Sequence, residues 1–147
     1  MRILIKQAGG GVGIMHANPE QEESALTAYA EKWVDTEFAY VSRREVDESE
    51  IPSDRTFRDA WLDSGNEIIH DMPKCREIWR NRLRELRAAK LIALDIAYIR
   101  ADEIGDNAEK QRIITQKQAL RDVTDDPRIE AAQTPDALKA VMPDELK

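Results

Sequence analysis

The chain opens with two short β-rich runs, Arg2 to Lys6 and Val12 to Met15, separated by the glycines Gly9, Gly10 and Gly11, with Gly13 inside the second run. Two such runs around a glycine cluster predict a β-hairpin. Pro19 followed by Glu20, Glu22 and Glu23 has the chemistry of a helix's first turn, because proline lacks an amide that would be unpaired there and acids face the positive end of the dipole. Ala25, Leu26, Tyr29, Ala30 and Trp33 then recur at helical spacing, and Glu37 to Ser42 alternates as a strand does. Residues 1–43 are thus expected to form a small β-β-α-β unit.

Residues 44–72 read as a linker and anchoring segment. Arg43 and Arg44 are followed by Glu45, Asp47, Glu48 and Glu50 without periodic apolar residues, which predicts exposure through Ser53. Phe57 and Trp61 then sit among charges, and Ser64-Gly65-Asn66 supplies a turn before Ile68-Ile69, consistent with a second small hairpin.

From Pro73 to about Glu103 the pattern is one long helix, with proline at its start, no glycine or proline inside, and Gly105 at its stop. Trp79, Leu83, Leu86, Ala93, Ala97 and Ala101 form its expected seam. Asn107 is the expected cap of the next helix, Ile113, Ile114 and Leu120 its apolar face, and the short connection predicts an antiparallel pair over residues 73–123. The tail, 124–147, is punctuated by Pro127, Pro135 and Pro143, with one short helix expected from Thr134. The fold class expected is α+β: a small N-terminal β-β-α-β unit, then a long antiparallel α-helical hairpin.

Charge adds a second layer. The 147 residues are 35% charged and carry a net charge of −7, divided as −8 over residues 1–72, +5 over 73–100 and −4 over 101–147. No apolar run reaches the ~18 residues of a membrane span, and the opening residues do not make a secretion signal, so a cytoplasmic start is expected and no membrane partner. A single cysteine, Cys75, excludes an intramolecular disulfide, and with only His16 and His70 beside it a structural zinc site is not expected.

Few residue sets have the makings of chemistry. Gly9 to Gly13 lacks the following helix and Lys-Ser/Thr pair of a phosphate loop and reads as a hairpin turn. Cys75, near a helix start and five residues from His70, suggests a nucleophile with a base, but no third orienting group accompanies them. Asp63, Glu67, His70 and Asp71 would make a metal cluster only by coincidence of an acid-rich surface. No cofactor is expected.

Arg76, Arg80, Arg84 and Arg87, spaced four, four and three, line one helix face. An acidic chain without interleaved aromatics argues against nucleic acid, so the stripe is expected to meet acidic surface, either the N-terminal unit or a neighbouring subunit. With Phe57, Arg58 and Trp61, residue types enriched in interface anchors, these arginines are the candidate partner-binding residues.

A resemblance rests on four stretches. They are Asp54-Arg55-Thr56-Phe57-Arg58-Asp59-Ala60-Trp61, then Asp71-Met72-Pro73-Lys74, then Ile78-Trp79-Arg80 with Arg82, Arg84, Arg87, Leu91 and Asp95, and finally Lys117-Gln118-Ala119-Leu120-Arg121-Asp122-Val123. Over about residues 54–143 the chain resembles small tail-gene proteins of tailed bacteriophages, and its second half is similar to the helical region of phage tail assembly chaperones and tail-fibre assembly proteins. Val141-Met142-Pro143-Asp144 stands where that pattern has a tryptophan–proline pair. The resemblance implies a non-enzymatic protein, working in the host cytoplasm during assembly or in the virion tail. Its implied partners are other phage tail or virion proteins, with room for a homo-oligomer. The alternative is a phage inhibitor of a host nucleic-acid enzyme, using the acidic N-terminal region as a mimic of nucleic acid.

Overall fold

The computed structural model describes residues 2–7, 10–16 and 40–147. It is a mixed α+β fold with strands in the N-terminal part and helices in the C-terminal part, divided into two compact units, Met1–Asp71 and Met72–Lys147. The helix expected around residues 20–33 lies outside the described residues, as do the first residues of the strand expected from Glu37.

In the first unit, β1 (Arg2–Gln7) pairs antiparallel with β2 (Val12–His16), Leu4 opposite Ile14, as expected from the glycine-separated runs. Gly10 takes a φ of 87°, the left-handed region that glycine enters without steric cost. The strand β3 (Tyr40–Val46) pairs with the other edge of β1, giving the sheet order β2-β1-β3. A second hairpin, β4 (Trp61–Asp63) and β5 (Ile68–His70), turns through Gly65 at φ 99°.

The exposed linker expected over Arg43–Ser53 is therefore not what forms. Arg43 to Val46 belong to β3, a short 3-10 turn follows at Glu48–Glu50, and Val46 and Ile51 are buried in one cluster with Trp61. Two isolated apolar residues suffice because the charge beside them is neutralised locally. Arg44 Nε donates to Asp63 Oδ1 at 3.0 Å and its Nη1 to Glu50 Oε2 at 3.1 Å. The Asp47 amide and then Arg44 hold the Glu50 carboxyl below its ordinary range.

In the second unit, α1 (Met72–Glu103) is roughly 48 Å long at 1.5 Å per residue. It ends in a Schellman motif: Gly105 has φ 69°, Gly105 N donates to Asp102 O at 3.0 Å and Asp106 N to Ala101 O at 2.9 Å. The cap of α2 (Asn107–Asp122) is Asp106, whose carboxylate accepts from Glu109 N at 2.9 Å, one residue before the expected Asn107. The turn completed by Gly105 leaves Asp106 as the last non-helical residue.

The two helices run in opposite directions. Lys110 Nζ lies 2.8 Å from Asp102 Oδ1, Lys117 Nζ 2.5 Å from Asp95 Oδ1, and Arg87 reaches the end of α2. Cys75, Trp79, Leu83 and Ala101 of α1 and Ile113 and Leu120 of α2 are buried, whereas Leu86 and Ile114, both expected in the seam, are exposed. Ile114 is one residue, about 100°, away from the face shared by Ile113 and Leu120. Beyond α2, a 3-10 turn (Val123–Asp125), α3 (Pro127–Ala131), α4 (Pro135–Lys139) and a last 3-10 turn (Asp144–Leu146) return along the first half of α1. Thr134 caps α4, accepting from Ala137 N at 3.1 Å, as its Thr-Pro pair leads one to expect.

Candidate protein-binding surface

The arginine stripe turns inward. Arg76 Nε and Nη2 donate to the carbonyls of Ile129 and Ala132 at 3.2 and 2.9 Å, and Arg80 Nε donates to Thr124 O at 3.2 Å. Arg87 Nη1 donates to Leu120 O and Arg121 O at 3.2 and 2.6 Å, in the last turn of α2, where helix carbonyls lack intrahelical partners. Arg80 also pairs with Glu130, and that hydrogen bond holds the Glu130 carboxyl below its ordinary range. Trp79 Nε1 donates to Val141 O at 2.9 Å, and Lys90 Nζ to Glu145 O at 2.8 Å. The expected acidic surface is thus largely replaced by carbonyls of the chain's own α2 end and C-terminal segment. Such oxygens carry the negative end of the peptide dipole without any acidic residue in the sequence.

Arg84 stands apart from the other three, exposed and donating to Asn81 Oδ1 at 2.5 Å on its own helix. Phe57 and Trp61, expected as partner anchors, are 2% and 0% exposed. Trp61 packs with Val46 and Ile51, donates its indole N–H to His70 Nε2 at 3.1 Å, and has the Arg55 guanidinium 5.5 Å from its ring centroid. Arg58 lies exposed in a 3-10 turn.

Other polar residues of α1 and α2 also pair within the chain. Asp95 and Lys117 form an ion pair between α1 and α2, Gln118 Nε2 donates to Asp122 Oδ1 at 2.7 Å, Leu120 is buried, and the carbonyls of Leu120 and Arg121 receive Arg87. An arginine on one helix and a Gln-x-Leu-Arg-Asp ending on the next therefore fit together as a clasp.

Cys75 is fully buried, His70 accepts from Trp61, Asp63 holds Arg44, and among the described residues no group of three or more His, Cys, Asp or Glu is placed to hold a metal ion. Among the described residues no helix is long and apolar enough to cross a membrane.

Among its exposed charged residues, the second half of α1 also presents an apolar row to water. Ile92, Ile96 and Ile99 are 61%, 48% and 57% exposed. They step by four and three, which at about 100° per residue places them on one face, opposite the Leu94 and Ala101 side that meets α2. Ala89 extends the face by one further step of the same spacing. Burying what remains in water would release on the order of 1 kcal/mol per isoleucine. Away from this face, between α1 and α2, runs a groove of about 480 Å³ whose lining includes Lys90, Leu94, Ala119, Leu120 and Glu145.

The isoleucine face is absent from the sequence expectations because the expected seam lies at other positions. Its signal is the four-three spacing of Ala89, Ile92, Ile96 and Ile99. Compared with known proteins, the chain matches no family model, no curated protein and no solved structure.

Proposed function

We propose that this chain is a non-enzymatic, tail-associated protein of a tailed bacteriophage that acts through protein–protein contacts. It assists tail or tail-fibre assembly in the host cytoplasm or stays in the virion as a minor structural component. The observation that carries the contact role is the exposed face of Ile92, Ile96 and Ile99 on a helix whose opposite side is already packed. Large apolar side chains aligned along one face of a rigid helix are the usual material of a docking surface. The phage context rests on the resemblance carried by residues 54–143.

A quantitative protein inventory of purified particles and of tail-assembly intermediates tests this reading. A stoichiometric band in particles identifies a virion component, and a chain found with tail intermediates but not with particles identifies an assembly factor. Normal tails from a phage lacking the gene, with the chain in neither fraction, would refute both versions.

The second reading is a phage inhibitor that covers a basic site on a host nucleic-acid enzyme. It is favoured by the exposed carboxylates of Glu45, Asp47 and Glu48 around the end of β3. Salt-sensitive binding to such an enzyme, abolished by their charge reversal, would decide for it.

A further inference from the structure

We infer that the isoleucine face of α1 binds a second copy of this chain, the two α1 helices lying parallel and in register with Asp95 of each facing Arg100 of the other. This rests on the contact role proposed above and names the occupant of the same face.

The spacing supplies the first argument. Ala89, Ile92, Ile96 and Ile99 alternate as the a and d positions of a heptad, with Ala89 and Ile96 at a and Ile92 and Ile99 at d. Glu85 and Glu103 continue the same spacing and end the seam on either side. The face is therefore shaped to receive another helix with the same period, and a face carrying its own complement can close a symmetric pair.

Charge supplies the second argument and fixes the orientation. Asp95 occupies the g position and Arg100 the e position of the following heptad, both exposed on the flanks of the isoleucines. In a parallel, in-register pair each g residue faces the e residue five positions later on the other helix, so two Asp95–Arg100 contacts form across the seam. An antiparallel pair centred on the same isoleucines brings Asp95 against Asp95, or shifted by one heptad layer against Asp102, so carboxylates meet in either case. The terminal glutamates oppose glutamates in both orientations and do not discriminate between them. Asp95 also reaches Lys117 of its own chain through Oδ1, leaving the second carboxylate oxygen for Arg100 of the other copy.

The seam from Ala89 to Ile99 spans about one and a half heptads and buries less than the ~800 Å² per partner of a standard stable complex, so a weak, concentration-dependent dimer is expected. The helices are already held folded by α2 and the C-terminal segment, so association does not have to order them first.

Sedimentation velocity on the full chain across micromolar to millimolar concentration tests this, with circular dichroism confirming that each variant is folded. The wild type is expected to pass from monomer to dimer, and Ile96→Asp to remain monomeric. Asp95→Lys and Arg100→Glu should each weaken association several-fold, and the double variant should restore it, a non-additive recovery that general surface charge does not produce. Lys117→Gln, which removes the internal pair of Asp95, should leave association in place.

Glu103→Cys should cross-link to itself under mild oxidation in the parallel dimer, whereas an antiparallel one centred on Asp95 holds the two introduced thiols roughly 24 Å apart along the axis. A monomer at all concentrations, a trimer, failed charge-swap rescue, or no cross-link in the Glu103→Cys variant would each overturn the inference. Loss of tail-protein binding by Ile92→Ser/Ile96→Ser/Ile99→Ser in a chain that is strictly monomeric would leave the contact role standing while removing the dimer.

Discussion

Along the first half of α1, from Cys75 to Lys90, Arg76, Arg80 and Lys90 donate to backbone carbonyls of the chain's own C-terminal segment, and Arg87 to those of the last turn of α2. Along the second half, Ile92, Ile96 and Ile99 face water. A hydrophobicity argument alone would assign the opposite arrangement, with charge outward and isoleucine inward. Charge is drawn inward because helix ends and short turns expose carbonyls that need donors, and a guanidinium supplies several from one side chain. Isoleucine is left outside because α2 covers only one side of the helix. The inward cations therefore belong to stability and the outward isoleucines to contact.

Variants can separate those two roles, and the largest effect belongs to the packed half. Leu83→Ala should cost about 2–5 kcal/mol in urea unfolding, because a fully buried leucine leaves a cavity against the helices around it. Trp79→Phe keeps much of the ring but strips Val141 O of its donor, and about 1–3 kcal/mol should be lost.

Arg87→Ala, which removes the donor to two carbonyls at the end of α2, should cost about 1–2 kcal/mol, while Arg84→Ala should stay within about 0.5 kcal/mol. Equal effects of these two arginines would break the distinction between inward and outward positions on the stripe.

The smallest effect is a dependence on pH. Arg80 holds the Glu130 carboxyl low, so the pair stabilises the chain above the ordinary carboxylate range and that contribution disappears as the pH falls through the folded-state value. The acid limb of a thermal-stability profile should therefore be shallower in Glu130→Gln than in the wild type.

The bounds of α1 were legible in the sequence to within a residue or two, because Pro73 and Gly105 act locally: one tolerates the first turn, the other takes the left-handed conformation that ends it; α3, Pro127–Ala131, was not expected. The Trp61 hairpin was legible for the same reason, through Ser64-Gly65-Asn66. The order of β3 beyond Ser42 was not, since Val46 and Ile51 gain burial from a cluster whose other members are distant in the chain. Nor was the destination of the arginines. A spacing of four, four and three defines a face, but the oxygens opposite it are main-chain atoms, which leave no trace in residue identity.

Equilibrium unfolding of Ile92→Ser/Ile96→Ser/Ile99→Ser, at a dilution where the wild type is monomeric, bears most directly on the division between a holding half and a presenting half of α1. The expected result is a free energy within about 1 kcal/mol of the wild type, as for substitutions outside a packed core. A loss of several kcal/mol would show that these isoleucines are buried by the chain itself and would contradict the contact surface.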